Sequence, residues 1–206
     1  MHIESKVVMG WALREYVAER PAKDVADVGS YDVNGSYRSA VEGLGFRSYT
    51  GLDIREGANV DQVIDPKAAS WSSAGAFDVV ISGQTLEHTQ NPFRFLSQLA
   101  TILKPGGEVV LLAPWSWPVH YHPIDCWRIL PEGLKSLIEG IGLNVRRMGS
   151  TIYDNGNGDS FIVARDGPAE ACGGLMKLVT ITTPDGQVDC RLEDHSESEA
   201  RFRGEL

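Results

Sequence analysis

Two apolar runs, Phe77–Gly83 (FDVVISG) and Glu108–Pro114 (EVVLLAP), restrict this chain more than any other feature. An apolar run with no polar alternation reads as a strand buried on both faces, and such strands belong to mostly parallel sheets covered by helices on each side. The segments around them alternate accordingly. DVADVG (24–29), SYTGLDI (48–54) and VDQVID (60–65) read as strands, and Ser36–Leu44 reads as a crossover helix. Asn91-Pro92 predicts an N-cap and first-turn proline for a helix through about Leu103, with KPGG as a tight turn behind it. LPEGLKSLIEGIGL (130–143) is a short helix. NVRRMGSTI and DSFIVARD form a closing strand pair joined by YDNGNG. An amphipathic helix over 5–20, ended by Pro21, precedes them all. The reading is a Rossmann-like, doubly wound α/β fold: a mostly parallel seven-stranded sheet with helices on both faces, in three layers. Residues 1–168 form this domain, including the N-terminal helix. Residues 169–206 are an extension, packed on the domain or partly frayed. Ala169–Val179 is expected to be helical. Beyond Gln187, six acids against three arginines predict a polar tail.

A parallel sheet of this kind binds ligands beyond the carboxyl ends of its strands. Gly29, Asp53, Asp65 and Ser82 should therefore share one rim. The formal net charge of -9 argues against nucleic acid as a partner, and no basic patch offsets it. No apolar run reaches the ~20 residues of a membrane span, and the N-terminal residues lack a secretory pattern. The three cysteines, Cys126, Cys172 and Cys190, form neither a zinc spacing nor a disulfide framework, so the expected compartment is the cytoplasm.

The loop VADVGSYDVNGSYR (25–38) narrows the ligand. Gly29 opens it, but Tyr31 stands where a dinucleotide-binding loop has its second glycine, and the next glycine is Gly35. A pyrophosphate needs that close backbone approach. The loop therefore suits a nucleoside without a pyrophosphate, such as S-adenosylmethionine, whose methionyl carboxylate can meet the amides at the helix start.

At these residues the chain resembles the class I S-adenosylmethionine-dependent methyltransferases of the small type 11 group. The resemblance covers about Val25 to Leu143 and rests on four segments in order: VADVGS, YTGLDI, FDVVISGQTLEH and LKPGGEVVLLAP. It implies that Asp27, Gly29, Ser30 and Gly35 border the methionyl end. It places Asp53 at the ribose, the carboxylate accepting from both hydroxyls, with Ile54 beside it as a further cofactor contact. Asp65 would meet the adenine amino group, and Ser82 and Gly83 would line the pocket near the sulfonium, with Gln84 close by. The DVNGS insertion departs from the family's glycine triplet.

The acceptor side is expected in PWSWPVHYHPIDCWRILPEGL (114–134). A hydroxyl acceptor must lose a proton, and His120, His122 or His88 could take it. Asp125 would orient a histidine or bind an acceptor hydroxyl, and Arg128 would meet an anionic group. Trp127 is expected to anchor the loop, and Glu87 to brace it. HYH with Asp125 and Cys126 is set aside as a metal site, because His-x-His is common without one; no metal is expected. HPIDCWRILPEGL also resembles methyltransferases of glycan pathways, which points to a hydroxyl of a sugar or related metabolite as the small-molecule acceptor. A homodimer is the expected assembly. The competing readings are a methyltransferase-fold binding protein without turnover and an NAD-dependent oxidoreductase, the latter opposed by Tyr31.

Overall fold

The computed structural model describes residues 2–18, 23–68, 71, 75–168, 172, 174–182 and 188–193. Among these, β1 (Asp24–Val28), β2 (Ser48–Asp53), β3 (Gln62–Val63), β4 (Phe77–Gly83) and β5 (Leu103–Ser116) are parallel neighbours in the order β3-β2-β1-β4-β5. β7 (Gly158–Arg165) then lies antiparallel between β5 and β6 (Asn144–Ile152). The helices are α1 (Ile3–Tyr16), α2 (Arg38–Gly43), α3 (Pro92–Thr101) and α4 (Pro131–Gly140). His2 caps α1 and Asn91 caps α3, each side chain accepting a backbone N–H three residues on.

The apolar runs sort by alternation into two cores. Val80, Val109, Leu111 and Ile162 face Leu96, Leu99, Leu134 and Ile138 of α3 and α4. Val79, Ile81, Val110, Leu112, Phe161 and Val163 face Val8, Met9 and Leu13 of α1 and Val41 of α2. Each strand thus contributes to both layers, which is why its sequence shows no polar alternation.

The sheet departs from expectation at its end. Among the described residues it has nine strands, not seven. Met176–Thr182, within and beyond the stretch expected as helix, is strand β8, parallel to β6, and Val188–Glu193 is strand β9, paired with β8. β6 would otherwise be an open edge, and MKLVTIT, rich in β-branched residues, supplies the partner. Leu178 enters the α1-side core. Residues 194–206 of the expected tail lie outside the described residues, as does Pro21. The expected KPGG turn is instead an irregular start to β5, with the register shifting between Phe77 and Val79. No described helix is long and apolar enough to cross a membrane.

Candidate active site

The carboxyl ends of β1, β2 and β4 bring Gly29, Asp53 and Gly83 to one rim, as the topology requires. Gly29 turns the chain with φ +86°, and its amide donates to Leu52 (2.8 Å). A Cβ there would collide with Thr85 Oγ1, so backbone angle and space both demand glycine. Thr85 fills that side of the turn, and the Tyr37 hydroxyl likewise lies against Gly83. Two surface depressions lie elsewhere. One, about 260 Å³, borders α3, and the other, about 270 Å³, lies at the opposite end of the strands around Lys23 and Glu108.

Asp53 is buried, and its carboxylate gathers three amides. Tyr31 N–H donates to Oδ2 (3.0 Å), and Ile54 (2.7 Å) and Arg55 (3.3 Å) donate to Oδ1. Ile54 beside it is 58 % exposed. The Tyr31 ring is folded onto Gly57 and lies 4.1 Å under the Arg55 guanidinium, so its bulk braces the segment after β2. Gly35 closes a local turn by donating to Asp32 Oδ1 (2.5 Å).

The remaining residues expected at the cofactor have local partners. Asp27 is buried under the rim and accepts from the Tyr49 hydroxyl (2.5 Å). Burial pushes its pKa up to about 7, against the pull of Tyr49 and Arg38 and with a further push from Asp53. Ser82 donates to the Val28 carbonyl (2.7 Å), tying β4 to β1. Ser30 is buried, and its hydroxyl has no hydrogen-bond partner among the described residues. Asp65 is exposed and caps the Lys67 amide (2.8 Å).

The loop after β5 folds over the turn Leu86–His88. Asp125 is its keystone. Both its oxygens receive Arg128 (2.6 and 2.7 Å), and Oδ2 also accepts the His120 amide (2.7 Å) and lies 3.4 Å from His120 Nδ1. Asp125 thus lies beside His120, the neighbour expected for it. Those bonds to Arg128 hold its carboxyl well below the usual range. Arg128 is also bound to the carbonyls of Trp117, Pro118 and Trp127. It clamps the loop and has few donors left for a substrate anion, contrary to expectation. Trp127 anchors the loop through Thr89 (2.7 Å).

Three imidazoles converge here. His88 and His120 are 4.9 Å apart by ring centroid, and His122 is 5.9 Å from each. Burial lowers the His88 pKa, and its Nδ1 meets the Ile124 carbonyl at 2.5 Å. Glu87 lies beneath, fully buried, with neither carboxylate oxygen hydrogen-bonded to another described residue. Burial pushes its pKa up to about 8.

A second polar cluster escaped the sequence reading. Asp159, buried at the start of β7, accepts from Tyr153 (2.5 Å) and Gln84 (2.7 Å). Gln84 adopts φ +57°, an unusual angle for a non-glycine residue. The Tyr37 hydroxyl lies 2.6 Å from Ser5 Oγ, and His2 stacks on Trp117 at 4.4 Å. The one local signal was the polar pair Asp159-Ser160 opening an apolar strand.

Residues 12–147 match the family model described as a methyltransferase domain. Among curated proteins, the chain is 37% identical over 71 residues to a ubiquinone biosynthesis O-methyltransferase of Burkholderia thailandensis, covering 34% of this chain and 30% of that protein. It is 32% identical over 85 residues to a lovastatin diketide synthase of Aspergillus terreus, covering 41% of this chain and 3% of the synthase. The chain thus spans only a minor part of each of these relatives. Among solved structures it resembles a Burkholderia thailandensis 1,6-didemethyltoxoflavin-N1-methyltransferase (TM-score 0.63, 14% identity, 81% of this chain and 80% of the other). It also resembles a Haemonchus contortus phosphoethanolamine N-methyltransferase (TM-score 0.55, 14% identity, 78% and 53%). These structural likenesses show the fold.

Proposed function

The chain belongs to the methyltransferase-domain family, and from that membership we propose that it transfers the methyl group of S-adenosylmethionine to a hydroxyl of a small-molecule acceptor, a sugar or related metabolite. The observation that carries the reading is the pairing of the Gly29 turn with the buried Asp53 carboxylate at one rim, beside a loop bearing histidines. The solved neighbours named above hold S-adenosylhomocysteine in one case and S-adenosylmethionine in the other, which supports the choice of cofactor.

In this reading Asp53 accepts the ribose hydroxyls, and exposed Ile54 offers an apolar face to the adenine. Gly29, Ser30 and Gly35 border the methionyl end, with Asp27 setting a negative potential beneath its ammonium group. Asp65 sits on the adenine side of the rim. Ser82 and Gly83 form the floor under the sulfonium.

Methyl transfer is an in-line displacement at a carbon activated by positive sulfur. The protein's task is to align the acceptor oxygen and take its proton as the new C–O bond forms. The histidine trio supplies the proton acceptor, with Asp125 fixing His120. Trp117, partly exposed with one face stacked on His2, offers its other face as a flat apolar wall for a ring.

The test is calorimetric titration of the protein with S-adenosylhomocysteine, followed by a panel of hydroxylated metabolites with S-adenosylmethionine. Saturable one-to-one binding and acceptor-dependent release of S-adenosylhomocysteine are expected. No binding to the folded protein refutes the assignment.

A further inference from the structure

Glu87 poses a problem that the methyl-transfer reading leaves unanswered. Its carboxylate is 0 % exposed, and no other described residue donates a hydrogen bond to either oxygen. A buried carboxylate without a partner costs several kcal/mol and is rarely left so. The group nearest to it sharpens the problem. His88 Nε2 lies 3.6 Å from Glu87 Oε1. The other nitrogen of that ring faces the Ile124 carbonyl at 2.5 Å. A carbonyl only accepts, so Nδ1 carries the hydrogen and Nε2 of the neutral ring presents a lone pair to Glu87. The gap between them is filled either by a proton that Glu87 donates to His88 Nε2 or by a cation.

His120 repeats the arrangement. Its Nδ1 lies 3.1 Å from the Pro118 carbonyl and 3.4 Å from Asp125 Oδ2, both acceptors. Its hydrogen is therefore drawn to that side, and Nε2 is left bare. One ligand atom from each of Glu87, His88 and His120 lies within 4.8 Å of the others. Imidazoles fixed by a carbonyl or carboxylate on the far nitrogen are the outer-shell pattern that orients metal ligands.

We propose that Glu87, His88 and His120 form a site for a divalent transition-metal ion, with His122 at its edge. Two imidazoles and one carboxylate favour zinc, cobalt, nickel, iron or manganese over magnesium or calcium. Three protein ligands leave coordination positions open to an exchangeable ligand. This inference concerns ion binding alone and stands whether or not the chain transfers methyl groups; with the ion bound, His88 and His120 are ligands and His122 is the imidazole left to take an acceptor's proton. It reverses the expectation that the HYH stretch binds no metal, because that expectation weighed the loop without Glu87 and His88 beside it.

The test uses tag-free protein stripped with a chelator and titrated with cobalt(II) chloride, without cofactor or acceptor. One-to-one binding with the visible absorption of a four- or five-coordinate nitrogen- and oxygen-ligated ion is expected. In Glu87→Gln and in His120→Ala the affinity should fall by roughly tenfold or more. His120 lies on a partly exposed loop, so its variant should keep the fold, and a thermal melt checks this. The proposal is overturned by the pale spectrum of a hexa-aqua-like ion in the wild-type protein. It is equally overturned by a thiolate charge-transfer band, which would place the ion at Cys126, or by a folded His120→Ala that binds as tightly as the wild type.

Discussion

Replacing Asp53 by asparagine separates binding from bracing. A carboxylate offers about four lone-pair positions. Three are directed at the chain's own amides, of which the Arg55 amide at 3.3 Å is the weakest. A ribose diol needs two acceptors. It can use the free position on Oδ2 and displace the Arg55 amide from Oδ1. Asparagine lacks the charge and turns one oxygen into a donor. A hydrogen bond to a charged group contributes about 1.5–3 kcal/mol. A loss of about 2 kcal/mol is therefore expected, or about 30-fold weaker binding of S-adenosylhomocysteine by calorimetry. The NH2 must also face either the Tyr31 amide or the Ile54 amide, a donor–donor conflict of about 1–3 kcal/mol that lowers the urea midpoint. The two readouts are independent. If the variant is less stable yet binds S-adenosylhomocysteine within about threefold of the wild type, Asp53 is a strand-end brace and the ribose assignment is wrong.

Three further outcomes follow from the same geometry. Gly29→Ala drives a methyl group into Thr85 Oγ1 at a positive φ, so it should abolish ligand binding, with Thr85→Ala restoring part of it; a Gly29→Ala variant that binds S-adenosylhomocysteine as the wild type does would show that the turn tolerates a side chain. Asp27 has a folded pKa of about 7 against an unfolded value near 4. Its protonated form is favoured by folding, so its contribution is full below about pH 4 and is lost as pH rises to 7. The slope is at most about 1.4 kcal/mol per pH unit; the urea midpoint should fall from pH 5 to pH 7, and Asp27→Asn, which leaves Tyr49, Asp53 and Arg38 in place, should flatten that fall. Ending the chain at Gly174 removes β8 and the fully buried Leu178, a loss of at least roughly 1.5–3 kcal/mol. An unchanged midpoint would mean that β8 and β9 add nothing to the core.

The central sheet was legible because its strands are buried on both faces. Val79 and Val80, or Val109 and Val110, go to opposite layers, so the sequence shows unbroken apolar runs whatever the order of strands. Asn91-Pro92 marked α3 through a cap that needs only three residues. The C-terminal strands left no such mark. β8 is a strand because the edge of β6 awaits a partner far away in sequence, and β9 is one because it pairs with β8. Tertiary pairing decided what local propensity could not.

The two halves of the rim differ for the same reason. The proposed cofactor half is assembled from strand ends, where Gly29 and Asp53 follow their apolar runs directly and spacing alone finds them. The proposed acceptor half is assembled across the chain. His2 and Ser5 come from the start of α1, Gln84 from just after β4, Trp117 from the loop, Tyr153 from the end of β6 and Asp159 from the start of β7. Trp117 and Gln84 stand in stretches the sequence marks, but His2, Ser5, Tyr153 and Asp159 have no periodicity or spacing that marks them and gain meaning only from the others. Glu87 is the sharpest instance. In sequence it is one acid before a helix cap, with bracing as its simplest role. In the fold it is a buried carboxyl with no donor among the other described residues, facing the lone pair of His88. Burial and the missing partner make an ordinary LEH tripeptide hold either a proton or a cation, and neither feature can be read from the letters.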